Sequence, residues 1–201
     1  MPVSAASAAA AAALLRRGRA LEGLTLGWNA VGIGVLAIAA LRAHSVALAG
    51  FGLDSLIEIG ASTVVLWELA STGQVRQRRA LRMIAAAFTA LSVYLLVQTA
   101  IVFAVGYRPQ HSPLGIAWTA VTAAVMFALA AGKSRTGHAL RNPVLIAEGH
   151  VTVIDGLLAG AVLASLVLNA ALGWWWADPA AGLVIVYYAL REARAIQRDH
   201  S

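Results

Sequence analysis

LGIAWTAVTAAVMFALAAG, residues 114–132, runs nineteen positions without a charged side chain. Wound as an α-helix at about 1.5 Å per residue, it would cross a hydrocarbon layer about 30 Å thick. Five further runs of comparable character occupy about 20–41, 43–69, 80–106, 143–171 and 173–190. The reading that follows is an all-α polytopic membrane protein with six transmembrane helices. The segment 43–69 carries Asp54, Glu58 and Glu68, but a soluble amphipathic helix would show a broad polar face, and here the acids stand among apolar residues.

Composition agrees. Of the 201 residues 60% are apolar and 12% charged, where a soluble domain carries roughly 25% charged. That excess of apolar surface cannot be hidden in one small core, so lipid must solvate much of it. There is no cysteine, which excludes disulfides and thiolate metal sites. The net charge is +6, yet the cations lie in short gaps between apolar runs, which points to anionic lipid headgroups and not to nucleic acid. No phosphate-binding glycine loop, nucleophile elbow or HExxH pattern appears, so an enzyme is not indicated.

The arginines orient the chain. Arg16, Arg17 and Arg19 precede the first run; Arg76, Arg78, Arg79 and Arg82 follow the second; Lys133, Arg135 and Arg141 follow the fourth; Arg191, Arg194 and Arg198 follow the sixth. Those thirteen cations fall on one side, against Arg42 and Arg108 on the other. The positive-inside rule then puts both termini in the cytoplasm. The alanine tract Ser4–Leu15 has its positive charge after the apolar stretch, the reverse of a secretory signal, and reads as a retained tail or short helix. The organisation expected is an Ala-rich cytoplasmic tail over 1–19, a six-helix membrane domain over 20–193 and a short cytoplasmic tail over 194–201. Gln74–Arg82, Tyr107–Pro113 and Gly132–Asn142 read as connections, the last polar and basic. Gly173–Pro179 reads as a tight turn whose Trp cluster suits an interfacial belt, with Asp178 as N-cap and Pro179 opening the sixth helix.

Most of the nine acids have ordinary explanations. Glu22 and Glu68 fall near cytoplasmic helix ends, and Glu192 and Asp199 lie in the tail. Asp54, Glu58 and Asp155 fall in the middle of the second and fifth runs, where an ionised carboxylate costs at least about 2.5–3.5 kcal/mol. Asp54 and Glu58 are four apart and share a helix face. Counted along antiparallel helices, Asp54 and Asp155 reach similar depth. Three carboxylates meeting at the midplane would make a hard, oxygen-rich site for a divalent cation. The alternative is protonated acids bonded to neighbouring helices, or residues lining water without metal.

These residues carry a resemblance. Ser45–Glu58, with its small residues leading to Asp54 and Glu58, resembles the second span of the cation diffusion facilitator (cation efflux) family, in which a D-x-x-x-D pair occupies this place. Ala147-Glu148-Gly-His150-Val151-Thr-Val-Ile-Asp155 resembles the fifth-span motif A-D-x-x-H-x-x-x-D, and Trp176-Ala-Asp178-Pro179 the sixth-span W-x-D-P. Asn29 stands where such proteins often have Asn in the first span. The likeness covers about residues 20–195.

The resemblance implies a homodimer of the cell membrane, in a bacterium the inner membrane, that exports a divalent metal ion of the zinc, cobalt, manganese, iron or cadmium class in exchange for protons. The metal is cargo, and no cofactor is implied. Asp54, Glu58 and Asp155 match the metal ligands. The expected His position holds Val151, and His150, one residue earlier, is rotated about 100° away. Glu148, seven residues before Asp155, lies on nearly the same face and reads as an entry or accessory acid. Without the imidazole, harder ions such as manganese or ferrous iron suit the donors better. Relatives continue into a cytoplasmic metal-binding domain, whereas this chain stops about ten residues past the last span; a dimer would then rest on membrane-embedded surfaces, or not form. Two rivals remain: a non-transporting membrane protein that keeps the fold, and a carrier of another small cation. Gly156-x-x-x-Gly160 allows close helix contact, within the chain or between chains.

Overall fold

The computed structural model describes residues 5–43, 46–70, 74–106, 112–174 and 176, with Leu183, Val186, Tyr187, Leu190, Arg191 and Arg194 beyond them. Five long helices make up these stretches: α1 (Ala5–Ala43), α2 (Val46–Ala70), α3 (Gln74–Val105), α4 (Pro113–Leu140) and α5 (Pro143–Leu172). The isolated residues after Leu183 are helical as well. Most of the expected sixth span, with the Asp178–Pro179 cap, lies outside the described residues.

Among the described residues, four helices are long and apolar enough to cross a membrane: Ala9–Arg42, Val75–Val105, Pro113–Leu140 and Pro143–Leu172. The acid-bearing α2 is not one of the four. Their outer faces carry apolar side chains in helical register. Leu24, Val31 and Ile38 repeat every seven residues on α1, and Val93, Leu96, Val97 and Ile101 cluster on α3, all exposed. Beside an apolar core that includes Leu36, Leu48, Val65 and Leu145, the buried faces hold Thr25, Asn29, Asp54, Ser55, Glu58, Ser62, Glu148 and Thr152. Apolar side chains outside and the charged groups within is the partition expected when lipid is the solvent.

Helix α1 packs on α2 and α4, α4 on α5, and α5 on α2, closing a ring of four helices; α3 lies outside it against α2 and α5. Two boundaries differ from the sequence expectation. The charged stretch from Gln74 is the opening of α3, and α4 runs through Lys133 to Leu140. What reads as a polar loop over Gly132–Asn142 is thus helix almost to its end, because its one lysine is turned into the bundle and not toward water. Helix α1 likewise takes in the alanine tract without a break.

The α4–α5 connection shrinks to two residues with defined chemistry. Arg141 adopts the left-handed conformation (φ 51°, ψ 39°) that ends α4. Asn142 then caps α5, its side-chain oxygen accepting from the amides of Val144 (2.9 Å) and Leu145 (3.0 Å), with Pro143 opening the helix. The hairpin closes tightly because Gly137 and Gly149 let the backbones touch. A Cβ on Gly137 would sit 2.9 Å from the Ile146 nitrogen, and one on Gly149 3.2 Å from the Ser134 nitrogen. Gly156 meets the Phe127 ring of α4 in the same way, so it serves packing within the chain, while Gly160 faces open space. Stacked Trp28 and Trp118 (4.9 Å between centroids) tie α1 to α4, and Trp28 donates to Thr122 at 3.2 Å.

Candidate functional site

Helices α2 and α5 meet in an antiparallel zipper of polar side chains. Asp54 faces Asp155, Thr152 donates to Glu58 (2.9 Å), Ser62 donates to Glu148 (3.2 Å), and Asn142 donates to Glu68 (2.9 Å). Each step of four to six along α2 is answered by a step of three to six back along α5, as helical faces in register require. Asp54 and Asp155, matched by counting along the two helices, are neighbours across this seam.

Into this seam projects Lys133 from α4, with no solvent exposure. Its ammonium lies 3.0 Å from Glu22 of α1 and 3.1 Å from Glu148 of α5, and it donates to the Thr152 hydroxyl at 2.9 Å. Glu58 is the more distant carboxylate, at 3.9 Å. Every helix of the ring thus contributes a group, and three carboxylates surround one lysine. Such a cluster is costly to bury and more costly to break, since removing one partner strands the others. At the α1–α2 edge, Arg19 donates to the Leu69 carbonyl at 2.7 Å, satisfying the last turn of α2.

Asp155 is in a different state. Both its carboxylate oxygens are buried and neither has a hydrogen-bond partner. The trio expected from the sequence is therefore divided. Asp54 and Asp155 stand together, and Glu58, one turn along α2, is turned toward Thr152 and Lys133. Among the described residues no three His, Asp or Glu side chains form a group that could hold a metal ion as they stand. Glu58 is instead bonded to the Thr152 hydroxyl, with the Lys133 ammonium 3.9 Å away.

The remaining site residues fall as follows. Glu148 is fully buried in the lysine cluster. His150 is exposed on the outer face of α5, while Val151 is buried at 4% exposure on the face that bears Asp155. The 100° rotation between neighbouring helical residues accounts for both. Asn29 is buried and donates to the Thr25 carbonyl of its own helix at 3.1 Å.

Sequence reasoning missed Lys133, counted among the cytoplasmic cations, and Glu22 and Glu68, taken as groups near helix ends; all three are fully buried. The other twelve cations of that group are arginines. One signal was available: Lys133 is the only lysine in a chain that uses arginine fourteen times. A compact ammonium on a flexible stem suits a buried cage of oxygens better than a guanidinium fork does.

An all-helical bundle with an apolar exterior and an ion-paired interior defines an integral membrane protein of the kind that handles charged solutes. The family model of the cation efflux transmembrane domain matches residues 80–200. The chain belongs to the cation efflux family, whose members are metal-cation transporters and not enzymes. The matched region takes in α3 from Ala80 onward, α4 and α5, with Lys133, Glu148 and Asp155; Asp54 and Glu58 precede it. Compared one by one with curated proteins, the chain matches none.

Proposed function

We propose that this protein carries a divalent metal ion out of the cytoplasm in exchange for protons, and that Asp54, Glu58 and Asp155 bind the ion midway through the membrane. One observation carries the reading. Asp155 buries both carboxylate oxygens against a second aspartate from the facing helix, a pairing that needs either a shared proton or a cation between the acids. Glu58 stands one turn from Asp54 and supplies a third carboxylate when its side chain swings from Thr152. Protons and metal compete for the same oxygens, so protonation from the proton-rich side releases the ion and deprotonation on the other side readies the site for the next.

The wider arrangement belongs to the same proposal. The chain crosses the membrane six times with both termini cytoplasmic, as the arginine distribution requires, and resides in the cell membrane, in a bacterium the inner one. Two copies associate through membrane-embedded helices. With carboxylates and no imidazole on the face of Asp155, manganese or ferrous iron is favoured over zinc, cobalt or cadmium.

Reconstituted into proteoliposomes, the wild-type protein should couple metal flux to proton flux, and Asp54→Asn and Asp155→Asn should each abolish it. Flux at wild-type level in either variant refutes the assignment. Val151, buried where the family motif has His, favours a second reading in which the chain keeps the fold without transport. That reading predicts no saturable metal binding by the purified protein.

A further inference from the structure

We infer that Lys133 is a tethered competitor of the transported ion: with Thr152 it holds Glu58 away from Asp54 and Asp155, and Glu58 becomes a ligand only when that hold is released. The inference rests on the proposed ligand role of the three acids.

The geometry makes Glu58 the one member of the cluster that can leave cheaply. The ammonium is anchored by Glu22 at 3.0 Å and Glu148 at 3.1 Å, neither of which depends on Glu58, whereas Glu58 is 3.9 Å away. Lys133 therefore keeps two carboxylates when the third departs. The Thr152 hydroxyl, which donates to Glu58 at 2.9 Å, has a second acceptor within reach, the Glu148 carbonyl at 3.0 Å. It too keeps a bond. Departure of Glu22 or Glu148 would instead strip the lysine of a close counter-charge in a dry interior.

The other side of the exchange is equally placed. Asp155 has two buried oxygens without partners, and Asp54 lies on the α2 face one turn from Glu58. A divalent ion arriving there offers Glu58 twice the charge of the ammonium at coordination distance, with no need for the lysine to move. In the absence of the ion, the lysine supplies the positive charge that a third buried carboxylate needs. Lys133 thus lowers the affinity for metal by a fixed amount, which keeps the ion releasable on the far side.

The test is manganese(II) binding by the full chain in detergent micelles, with free ion counted by electron paramagnetic resonance. Lys133→Met, of similar length but uncharged, should bind manganese at least about tenfold more tightly than wild type, because a unit charge near the ligands is removed. Lys133→Arg keeps the positive charge although its fork fits the cage less well, and should show none of the tightening of Lys133→Met; equal tightening in both overturns the inference. Folded Lys133→Met binding equally or more weakly overturns the inference. Tightening that persists in an Asp54→Asn/Lys133→Met double variant also overturns it, since the ion would then occupy the lysine's own cage. Should Lys133→Met fail to fold, Thr152→Val removes only the hydroxyl link and should still tighten binding, by about two- to fivefold; unchanged affinity there overturns the inference. Absence of binding in both wild type and Lys133→Met removes the carrier reading itself, whereas wild-type binding with no change in the variants removes this inference alone.

Discussion

Thr152→Val separates the hydroxyl from the shape of the side chain at the centre of the α2–α4–α5 junction. Valine fills nearly the same volume, so the change deletes two charge-assisted bonds: the one Lys133 donates at 2.9 Å and the one Glu58 accepts at 2.9 Å. Hydrogen bonds between membrane helices average about 0.6 kcal/mol and reach about 1.7 kcal/mol. Two bonds to charged, fully buried partners should therefore contribute roughly 1–3 kcal/mol, toward the upper end because neither partner can turn to water. Thr152→Ser is the control, since it keeps the hydroxyl and loses only a methyl group. The assay is reversible unfolding in mixed detergent and dodecyl sulfate micelles, followed by helical circular dichroism. If Thr152→Val matches Thr152→Ser to within about 0.5 kcal/mol, the hydroxyl does not join Lys133 to Glu58 and the account of the junction is wrong.

Other expectations concern packing, metal preference and topology. Gly137→Ala places a methyl group 2.8 Å from Ile146 Cγ1 and 2.9 Å from its backbone nitrogen, and should lower stability by about 1–3 kcal/mol in the same unfolding assay, whereas Gly160→Ala, facing open space, should be nearly neutral. Val151→His, on the buried face of α5 with Asp155, should raise zinc affinity relative to manganese on the order of tenfold by supplying an imidazole; His150→Ala, on the exposed face, should leave both affinities unchanged by competition titration. Because the chain contains no cysteine, single substitutions report topology cleanly. A membrane-impermeant maleimide should label Leu172→Cys on intact cells and Arg79→Cys only after lysis, and the reverse pattern would invert the orientation.

Much of the fold is legible in the sequence because the membrane imposes length and polarity on each helix. The run 143–171 corresponds to α5 almost residue for residue, since Asn142, Pro143 and Gly173 mark both ends by local chemistry. The run 114–132 locates α4 but ends eight residues early, because Lys133 and Arg135 read as the edge of the membrane. A charge in the sequence carries no sign of whether it meets water or a buried carboxylate. Here the charge meets Glu148 of the next helix and Glu22, over a hundred positions away in the chain. The same limit applies to the acids. Helical spacing brings Asp54 and Glu58 to one face and depth counting pairs Asp54 with Asp155. The turning of Glu58 toward Thr152 is a tertiary event, and no periodicity encodes it.

The near-contact of backbones at Gly137 and Gly149 has a mechanical consequence. Two rods joined by a two-residue connection and in close backbone approach beside it resist sliding past one another, so α4 and α5 should travel together as one stiff lever. The displacement that the proposed ion exchange requires would then fall on the contacts of this lever with its neighbours, among them the α2 seam. There the contacts are hydroxyls and carboxylates, which can trade partners over a small stroke, whereas interlocked methyl groups would have to be prised apart.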